Sequence, residues 1–228
     1  FEFSVHALLL RDFLVAGGID PVRDLELRLL RPADMIAQLQ VGGIDGFIGP
    51  EPFNQSAVTT GAGRIFTLTK ELWSGHPCCS IAMSKEWRTA HPVKARAITA
   101  ALTQASQMAN DPAQKDQVAE ILSREKYLNQ KKELFLPTLA GSYQNWKGEE
   151  KTDHERISFG DPTNPTAITW MATQLARWNL GGDALTMDDP TLIHLADSVL
   201  PDDVPRGGDP VTINGRVFDA HPPTAGYE

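Results

Sequence analysis

The run Gly-Gly-Ile-Asp-Gly-Phe-Ile-Gly-Pro-Glu-Pro-Phe-Asn, at residues 42–54, limits the possible folds of this chain more than any other segment. Its apolar residues 44–48 are bounded by glycine and predict a short strand. The Gly49-Pro50 pair that follows predicts a tight turn, and Glu51 stands where a polar helix start is expected. The run therefore predicts a strand that passes through a glycine–proline turn directly into a helix.

Two segments upstream complete a strand–helix–strand unit. Residues 25–30 predict a strand because leucines alternate with charged residues, and residues 32–41 predict a helix with its apolar side chains on one face. In open α/β sheets, ligands bind just beyond the carboxyl ends of the strands. Exposed backbone N–H groups at a helix start favour an anion. The turn at residues 49–51 is therefore a candidate ligand site in an α/β protein.

The remaining chain alternates helical and strand-like patterns. Residues 143–165 are polar and rich in Gly, Asp, Asn and Pro, which predicts a long loop. Four further strands are predicted at residues 64–69, 78–83, 211–213 and 216–218. Helical patterns fall at residues 5–16, 53–59, 70–73, 92–109, 112–123, 130–139, 166–180 and 190–199, with one more helix that follows Ser84 and contains Trp87. In the helix at 92–109, the predicted inward side chains are Ile98, Leu102, Ala105 and Met108.

Composition excludes several classes of function. Apolar and charged fractions of 41% and 22% are typical of a globular protein, and no stretch approaches the roughly 18 apolar residues of a membrane span. A net charge of −8 argues against nucleic-acid binding, which needs a basic face. The acidity does not exclude a small anion as ligand, because dipoles and a few cations decide that locally.

The two cysteines, Cys78 and Cys79, are adjacent. Neighbouring residues of a strand point to opposite faces, so a structural disulfide between them is not expected. We interpret both as small, partly buried strand residues. A redox or metal role is the alternative, but the sequence lacks the second cysteine pair or histidine cluster of a zinc site.

A series of short motifs runs in a fixed order through nearly the whole chain. The motifs are Ala16-Gly17-Gly18-Ile19-Asp20-Pro21, Pro32…Met35, Gly43-Ile44-Asp45-Gly46-Phe47, Gly49-Pro50-Glu51-Pro52-Phe53-Asn54, Trp73…His76-Pro77, Trp87, Asn110-Asp111-Pro112, Ile121-Leu122-Ser123, Tyr127-Leu128-Asn129, Trp170…Arg177-Trp178 and Phe218-Asp219. On these motifs the chain resembles the nitrate/bicarbonate-type solute-binding proteins of ABC importers. The segment at residues 8–58 is similar to the second lobe of that family, and the likeness continues almost to the end of the chain.

The sequence departs from the family pattern at two places. The family usually has Gly-Glu-Pro-Trp or Gly-Asp-Pro-Trp at the turn, whereas this chain has an additional Pro50 and has Phe53 in place of the tryptophan. A basic segment usually precedes the late tryptophan-bearing helix, but the corresponding residues 164–167 here contain no cation. These departures bear on the identity of the ligand more than on the fold.

The resemblance implies an α/β, periplasmic-binding-protein-like (type II) fold with two lobes, incomplete at its N-terminus. Residues 1–75 would be part of the second lobe, with the cleft turn at residues 49–53. Residues 76–228 would be the C-terminal part of the first lobe plus a C-terminal tail. The family is usually longer at the N-terminus, so we expect this chain to begin inside the second lobe.

The resemblance also supports a set of ligand-binding candidates: Ser4, His6, Gly49, Pro50 and Glu51. Ser4 stands at an N-cap position, and its hydroxyl with the next two backbone amides would form an anion nest. The helix start that carries His6 faces the cleft in the resembling proteins, although a lone histidine is more often structural.

Glu51 has two interpretations. It is either a ligand contact or a glutamate that the dipole of the following helix favours. A carboxylate beside a bare anion is unfavourable by about 1 kcal/mol even in water. If Glu51 faces the cleft, the ligand must therefore carry a proton, as bicarbonate does, or a cation such as Ca²⁺ must lie between them. If neither a ligand proton nor a cation is present, Glu51 must turn away from the cleft.

Three functions follow as hypotheses. The first is a non-enzymatic solute-binding component of an ABC importer for nitrate, nitrite or bicarbonate, in the periplasm or anchored on the outer face of the inner membrane. Its partners would be a small inorganic anion and the membrane subunits of the importer, with no catalytic residues, resident metal or cofactor. The second is a cytoplasmic nitrate or nitrite sensor of the same fold that regulates a partner protein. The third, an enzyme of the thiamine-precursor-synthesis type, needs a cleft nucleophile that Cys78 and Cys79 are poorly placed to supply.

Overall fold

The computed structural model describes residues 2–160, 164–201, 204, 206–225 and 227. Within these residues, helices dominate and the strands are short. The helices are α1 Val5–Ala16, α2 Pro32–Gln40, α3 Phe53–Thr59, α4 Thr69–Leu72, α5 Lys85–Ala90, α6 Pro92–Asn110, α7 Lys115–Ser123, α8 Lys132–Ala140, α9 Pro165–Arg177 and α10 Asp189–Val199, with a 3₁₀ turn at Pro112–Gln114. The strands are β1 Ser142–Gln144, β2 Glu150–Thr152, β3 Val211–Ile213 and β4 Arg216–Phe218.

The chain divides into two compact units. Unit 1 comprises Phe1–Leu29, Thr69–Cys78 and Pro162–Glu228, and unit 2 comprises Leu30–Leu68 and Cys79–Asp161. The sequence predicted a single boundary between residues 75 and 76. The two units differ from this prediction, because each consists of segments that are separate in the chain. The assignment of these segments to lobes of a longer protein stays a prediction.

Unit 1 has its core between α1, α9 and the β3–β4 hairpin. The core residues are Leu8, Leu9, Trp73, Ala167, Trp170, Ile213 and Phe218. The rings of Trp73 and Trp170 meet edge to face with their centroids 5.0 Å apart, a favourable geometry for two aromatic rings.

A polar cluster lies beside this core. The fully buried Asp12 of α1 accepts hydrogen bonds from Arg216 Nη2 (2.7 Å), Arg177 Nη1 (3.3 Å) and Asn214 Nδ2 (2.5 Å). Both guanidinium groups also lie over the ring of Tyr227, at 4.8 Å from Arg177 and 5.8 Å from Arg216. Together these contacts join α1, α9, the β3–β4 hairpin and the C-terminal segment.

Unit 2 has a smaller core, in which α7 and α8 pack against each other. Val118, Ala119, Phe135 and Leu139 form it, and the loop after β2 adds Ile157 and Phe159. The β1–β2 hairpin corrects part of the predicted loop at 143–165, since residues 142–144 pair with residues 150–152 in antiparallel register. The prediction missed this hairpin because turn-forming Gly, Asp, Asn and Pro residues dominate the segment and indicate a loop.

Four of the predicted strands do not pair with a neighbouring strand to form a sheet, so these predictions are wrong. In the part of the chain that the structure describes, the only ladders are the antiparallel hairpins β1–β2 and β3–β4. Residues 25–30, 44–48 and 78–83 join no ladder, and residues 64–69 contribute one isolated parallel bridge, Ile65 to Asn145. A strand pattern in the sequence indicates that a segment favours an extended backbone. It does not show whether a second strand lies beside that segment to form a ladder.

The orientation predicted for α6 is wrong at three of the four residues predicted to point inward. Ile98 and Leu102 are 41% and 37% exposed, and Ala105 is exposed as well. Met108, the fourth predicted inward residue, is half-buried and packs against the core of unit 2. The predicted apolar face is therefore covered only near the C-terminal end of the helix.

Candidate functional site

The first group of candidate residues lies at the start of α1, in unit 1. Ser4 has extended backbone dihedrals and its Oγ accepts a hydrogen bond from Ala7 N at 3.3 Å, so its predicted role as N-cap is confirmed. An N-cap serine satisfies one of the amides that a helix start leaves without an intrahelical partner. Whether the amides of Val5 and His6 bind an anion stays a prediction.

His6 is half-buried within a group of polar side chains in unit 1. Its Nε2 lies 3.4 Å from Cys78 Sγ, and the neighbouring His76 places its own Nε2 2.8 Å from Thr69 Oγ1. Burial lowers the pKa of His6, and the nearby His76 lowers it further. Burial likewise lowers the pKa of His76. Both rings are therefore neutral at neutral pH and supply hydrogen-bonding groups rather than fixed positive charges.

The cysteines differ from the expectation of partial burial. Cys78 and Cys79 are both exposed, and neither forms a disulfide. They lie in a segment without a ladder partner, which explains the exposure, because no described strand covers either face. Cys78 belongs to unit 1 and Cys79 to unit 2.

The second group of candidate residues forms the turn before α3, in unit 2. Gly49 O accepts a hydrogen bond from Asn54 Nδ2 at 2.6 Å, and Pro50 O accepts one from Phe53 N at 3.2 Å. The Glu51–Pro52 peptide bond is cis. The helix begins at Phe53, so Glu51 precedes it rather than lying in its first turn, which corrects the sequence expectation.

The carboxylate of Glu51 is occupied by protein partners. Its Oε1 accepts a hydrogen bond from Arg156 Nη2 at 2.6 Å, and its Oε2 accepts one from Gln55 N at 3.0 Å. The second contact caps α3, whose N-cap residue Pro52 has no side-chain capping group. The capping contact fits the interpretation of Glu51 as a glutamate at a helix start, and Arg156 supplies a balancing cation that the sequence did not predict. Whether Glu51 also contacts a ligand stays a prediction.

Arg156 was not predicted from the sequence. It lies in the polar segment after β2, where a cation is usually solvated, yet its side chain is only 1% exposed. Its Nη1 donates to Gln55 Oε1 at 3.1 Å and to Ser142 O at 2.6 Å. No spacing rule links residues 51 and 156, so only the fold reveals the pair.

The local backbone explains how Arg156 reaches this position. Gly141 ends α8 in the left-handed region (φ 85°), and a Cβ there would collide with the carbonyl of Asp153. The close approach lets Asp153 N donate to Gly141 O at 2.9 Å, and Arg156 N then donates to Asp153 O at 2.9 Å. A glycine is required at 141 because other residues tolerate neither the dihedral nor the contact. The turn that follows delivers the guanidinium to α3.

Metal ligation finds no support in the part of the chain described. No group of three or more His, Cys, Asp or Glu side chains there could hold a metal ion. A Ca²⁺ ion that accompanies the ligand stays a prediction.

Comparison with known proteins identifies the family. A family model described as NMT1-like matches residues 1–123, which include both groups of candidate residues. The chain belongs to the NMT1-like family.

Several curated relatives are named for bicarbonate transport or for nitrate binding. The chain is 37% identical to the bicarbonate transport ATP-binding protein CmpC of Synechococcus elongatus over 177 residues, which are 77% of this chain and 26% of that protein. It is 30% identical to the nitrate/nitrite binding protein NrtA of Nostoc sp. PCC 7120 over 183 residues, 78% of this chain and 42% of that protein. The chain thus spans about a quarter of the first relative (26%) and about two fifths of the second (42%).

A solved structure shows the fold. The periplasmic nitrate-binding protein NrtA of Synechocystis PCC 6803 superposes with a TM-score of 0.86 over 99% of this chain and 63% of its own, at 24% identity. The predicted periplasmic-binding-protein fold is therefore confirmed. No helix within the described residues combines the length and the apolar character needed to cross a membrane.

Proposed function

We propose that this chain is part of the solute-binding component of an ABC importer, and that its ligand is nitrate, nitrite or bicarbonate. The observation that supports the proposal is the sequence similarity to CmpC, which is named for bicarbonate transport, and to NrtA, which is named for nitrate/nitrite binding. The chain contains no phosphate-binding Gly-rich loop, so the proposal does not include ATP binding despite the similarity to CmpC. The proposed role is non-enzymatic and periplasmic, and the partners are the membrane subunits of the importer.

The proposed ligand contacts are the candidates that the resemblance supports, Ser4, His6 and the turn at residues 49–51, and each group is tested by itself. Serine hydroxyls, backbone amides and neutral imidazoles can hold a monovalent oxyanion through hydrogen bonds without a fixed cation. A neutral imidazole can also accept the proton of bicarbonate, which nitrate does not have. His6 is therefore the candidate for discriminating between these two ligands.

Calorimetric titration tests the proposal. Nitrate, nitrite and bicarbonate are titrated, with and without Ca²⁺, into the 228-residue chain and into the product of the complete open reading frame that contains it. We expect the longer product to bind at least one of these anions, and the 228-residue chain to bind it more weakly. A tiny ligand gains at most about 1.5 kcal/mol per heavy atom, so the loss of any donor group weakens binding sharply.

Matched variants locate the site. Ser4→Ala and His6→Gln should weaken binding, whereas Ser80→Ala, an exposed serine outside the candidate set, should leave it unchanged. If neither form of the protein binds any of the three anions, the proposed function is wrong. If binding occurs but Ser4→Ala and His6→Gln match the wild type, the site assignment alone is wrong.

A further inference from the structure

The side chain of Arg156 is only 1% exposed, although it carries a charge. It makes three hydrogen bonds, to the side chains of Glu51 and Gln55 and to the backbone carbonyl of Ser142. Its Cζ also lies 5.3 Å from the ring centroid of Tyr143, within the range of a cation–π contact. The contacts connect strand β1 with the candidate turn and the first part of α3, two adjoining segments that lie far earlier in the chain.

The geometry of these contacts suits arginine specifically. The planar guanidinium directs its two Nη groups to different acceptors at fixed angles, so the position of Glu51 relative to Gln55 is set by one rigid group. Gln55 completes the arrangement, because its backbone N–H donates to the other oxygen of the Glu51 carboxylate. The carboxylate therefore has one defined orientation at the end of the candidate turn.

The charges of Glu51 and Arg156 also affect whether an anion can bind at the candidate turn. The Glu51 side chain is 15% exposed, so water screens its charge poorly. An unbalanced carboxylate close to an anion is unfavourable even in water, and more so at the lower effective dielectric of a protein surface. Arg156 removes this obstacle, since the two charges cancel at a separation of 2.6 Å.

We infer that Arg156 is a positioning residue of the anion site: it fixes the Glu51 carboxylate and cancels its charge, so that the turn at residues 49–51 accepts an anion. The inference rests on the proposed function, because it concerns the same site. Arg156 does not contact the ligand in this account. It acts through Glu51, and the anion affinity depends on the balance of the two charges.

A purely structural ion pair is the competing interpretation. Buried pairs can be replaced by neutral groups without loss of stability, whereas removal of one partner is strongly destabilising. Both interpretations therefore predict that single variants unfold more easily. They differ in the anion affinity, which follows the net charge of the pair only if Arg156 acts on the site.

Four variants of the complete protein separate the interpretations: Arg156→Met, Glu51→Gln, Arg156→Lys and the double variant Glu51→Gln with Arg156→Met. Arg96→Met is the matched control, an exposed arginine of α6 in the same unit. For each variant, calorimetry gives the dissociation constant for nitrate and for bicarbonate, and urea unfolding gives the stability.

We expect Arg156→Met to weaken nitrate binding at least about tenfold, because it leaves the carboxylate unbalanced. Ca²⁺ should partly restore this affinity by replacing the missing cation. Glu51→Gln should strengthen nitrate binding about threefold or more and make it more sensitive to salt, since the cation is then unbalanced. The double variant should return to within about threefold of the wild type, and Arg156→Lys should lie between the wild type and Arg156→Met.

Each result either supports or overturns the inference. If the wild type binds no anion, the inference fails together with the proposed function. If the wild type binds and the affinities of Arg156→Met and the double variant merely follow their unfolding midpoints, the pair is structural and only the inference fails. If Arg156→Met does not fold, Glu51→Gln decides: an unchanged or weaker affinity for nitrate overturns the inference.

Discussion

Both units contain a carboxylate held by arginine, but burial is distributed in opposite ways. In unit 1, Asp12 is the buried member, with 1% of its side chain exposed, while Arg177 and Arg216 are 20% and 47% exposed. In unit 2, Arg156 is the buried member at 1%, and Glu51 is 15% exposed. The buried group of each cluster makes most of the hydrogen bonds.

The difference indicates how each cluster responds to the loss of a member. If Asp12 loses its charge, Arg216 can turn into solvent and Arg177 keeps its contact with the Tyr227 ring. If Arg156 is lost, the acceptors of Glu51, Gln55 and Ser142 remain partly buried with no replacement donor. We therefore expect the cluster of unit 2 to be the more sensitive one.

The largest effect is expected for Arg156→Met. The variant leaves a poorly solvated carboxylate without its partner, which typically lowers the free energy of unfolding by about 3–5 kcal/mol. Urea unfolding followed by circular dichroism measures it, with Arg96→Met as control at less than about 0.5 kcal/mol. A loss no larger than that of the control would show that the two clusters do not differ in the way proposed.

Asp12→Asn should have a smaller effect. The asparagine keeps the shape and one acceptor oxygen but loses the charge that Arg216 and Arg177 use, so we expect a loss of about 1.5–3 kcal/mol. The exposed Asp183→Asn is the control in the same unit. If Asp12→Asn destabilises the protein more than Arg156→Met, the order inferred from burial is reversed.

A pH-dependent effect is expected in unit 1. The pKa values of His6 and His76 are lowered in the folded state from the ordinary value of 6.5. The unfolded chain therefore takes up protons first as the pH falls. The stability that the neutral rings provide is complete above about pH 6.5 and is lost below it, as the pH falls towards the folded pKa values.

Unfolding midpoints at several pH values between neutral and mildly acidic test this. A double variant, His6→Gln with His76→Gln, should show a flatter dependence than the wild type. Equal slopes for both proteins would contradict the assignment of the pH dependence to these two rings.

The smallest effect on stability is expected at the exposed apolar residues of the predicted strands. Leu29 of unit 1 is 56% exposed and Ile81 of unit 2 is 63% exposed, and neither lies in a ladder. Uncovered apolar strand segments favour association between chains. Leu29→Lys and Ile81→Lys should each change the free energy of unfolding by less than about 0.5 kcal/mol.

Sedimentation velocity over a range of concentrations measures the association. We expect the wild-type 228-residue chain to associate, and both lysine variants to do so less. The comparison of the two variants shows which unit contributes more to self-association. A wild-type chain that stays monomeric would refute the expectation for both units.

The sequence alone determined the features that arise from neighbouring residues. The bounds of α1 at Val5–Ala16, its N-cap Ser4, and the strands β3 and β4 were predicted as the structure has them. Asn214 and Gly215 both have positive φ in the two-residue turn between those strands. Such features depend on residues at most a few positions apart, so their cause is readable from spacing and residue type.

Tertiary structure decided the features that depend on distant partners. From the sequence, Arg156 is expected to be a solvated cation in a loop, but in the structure it binds Glu51, 105 residues away in the chain. Asp12 likewise binds Arg216, which is 204 residues away in the chain. The strand-like segments and the apolar face of α6 were recognised, but the sequence did not show that the segments lack a ladder partner or that most of the face is exposed. A pattern of residue types encodes the tendency of a segment to be extended, helical or buried. It does not encode which distant group comes to balance its charge or pair with its backbone, because that depends on how the whole chain folds.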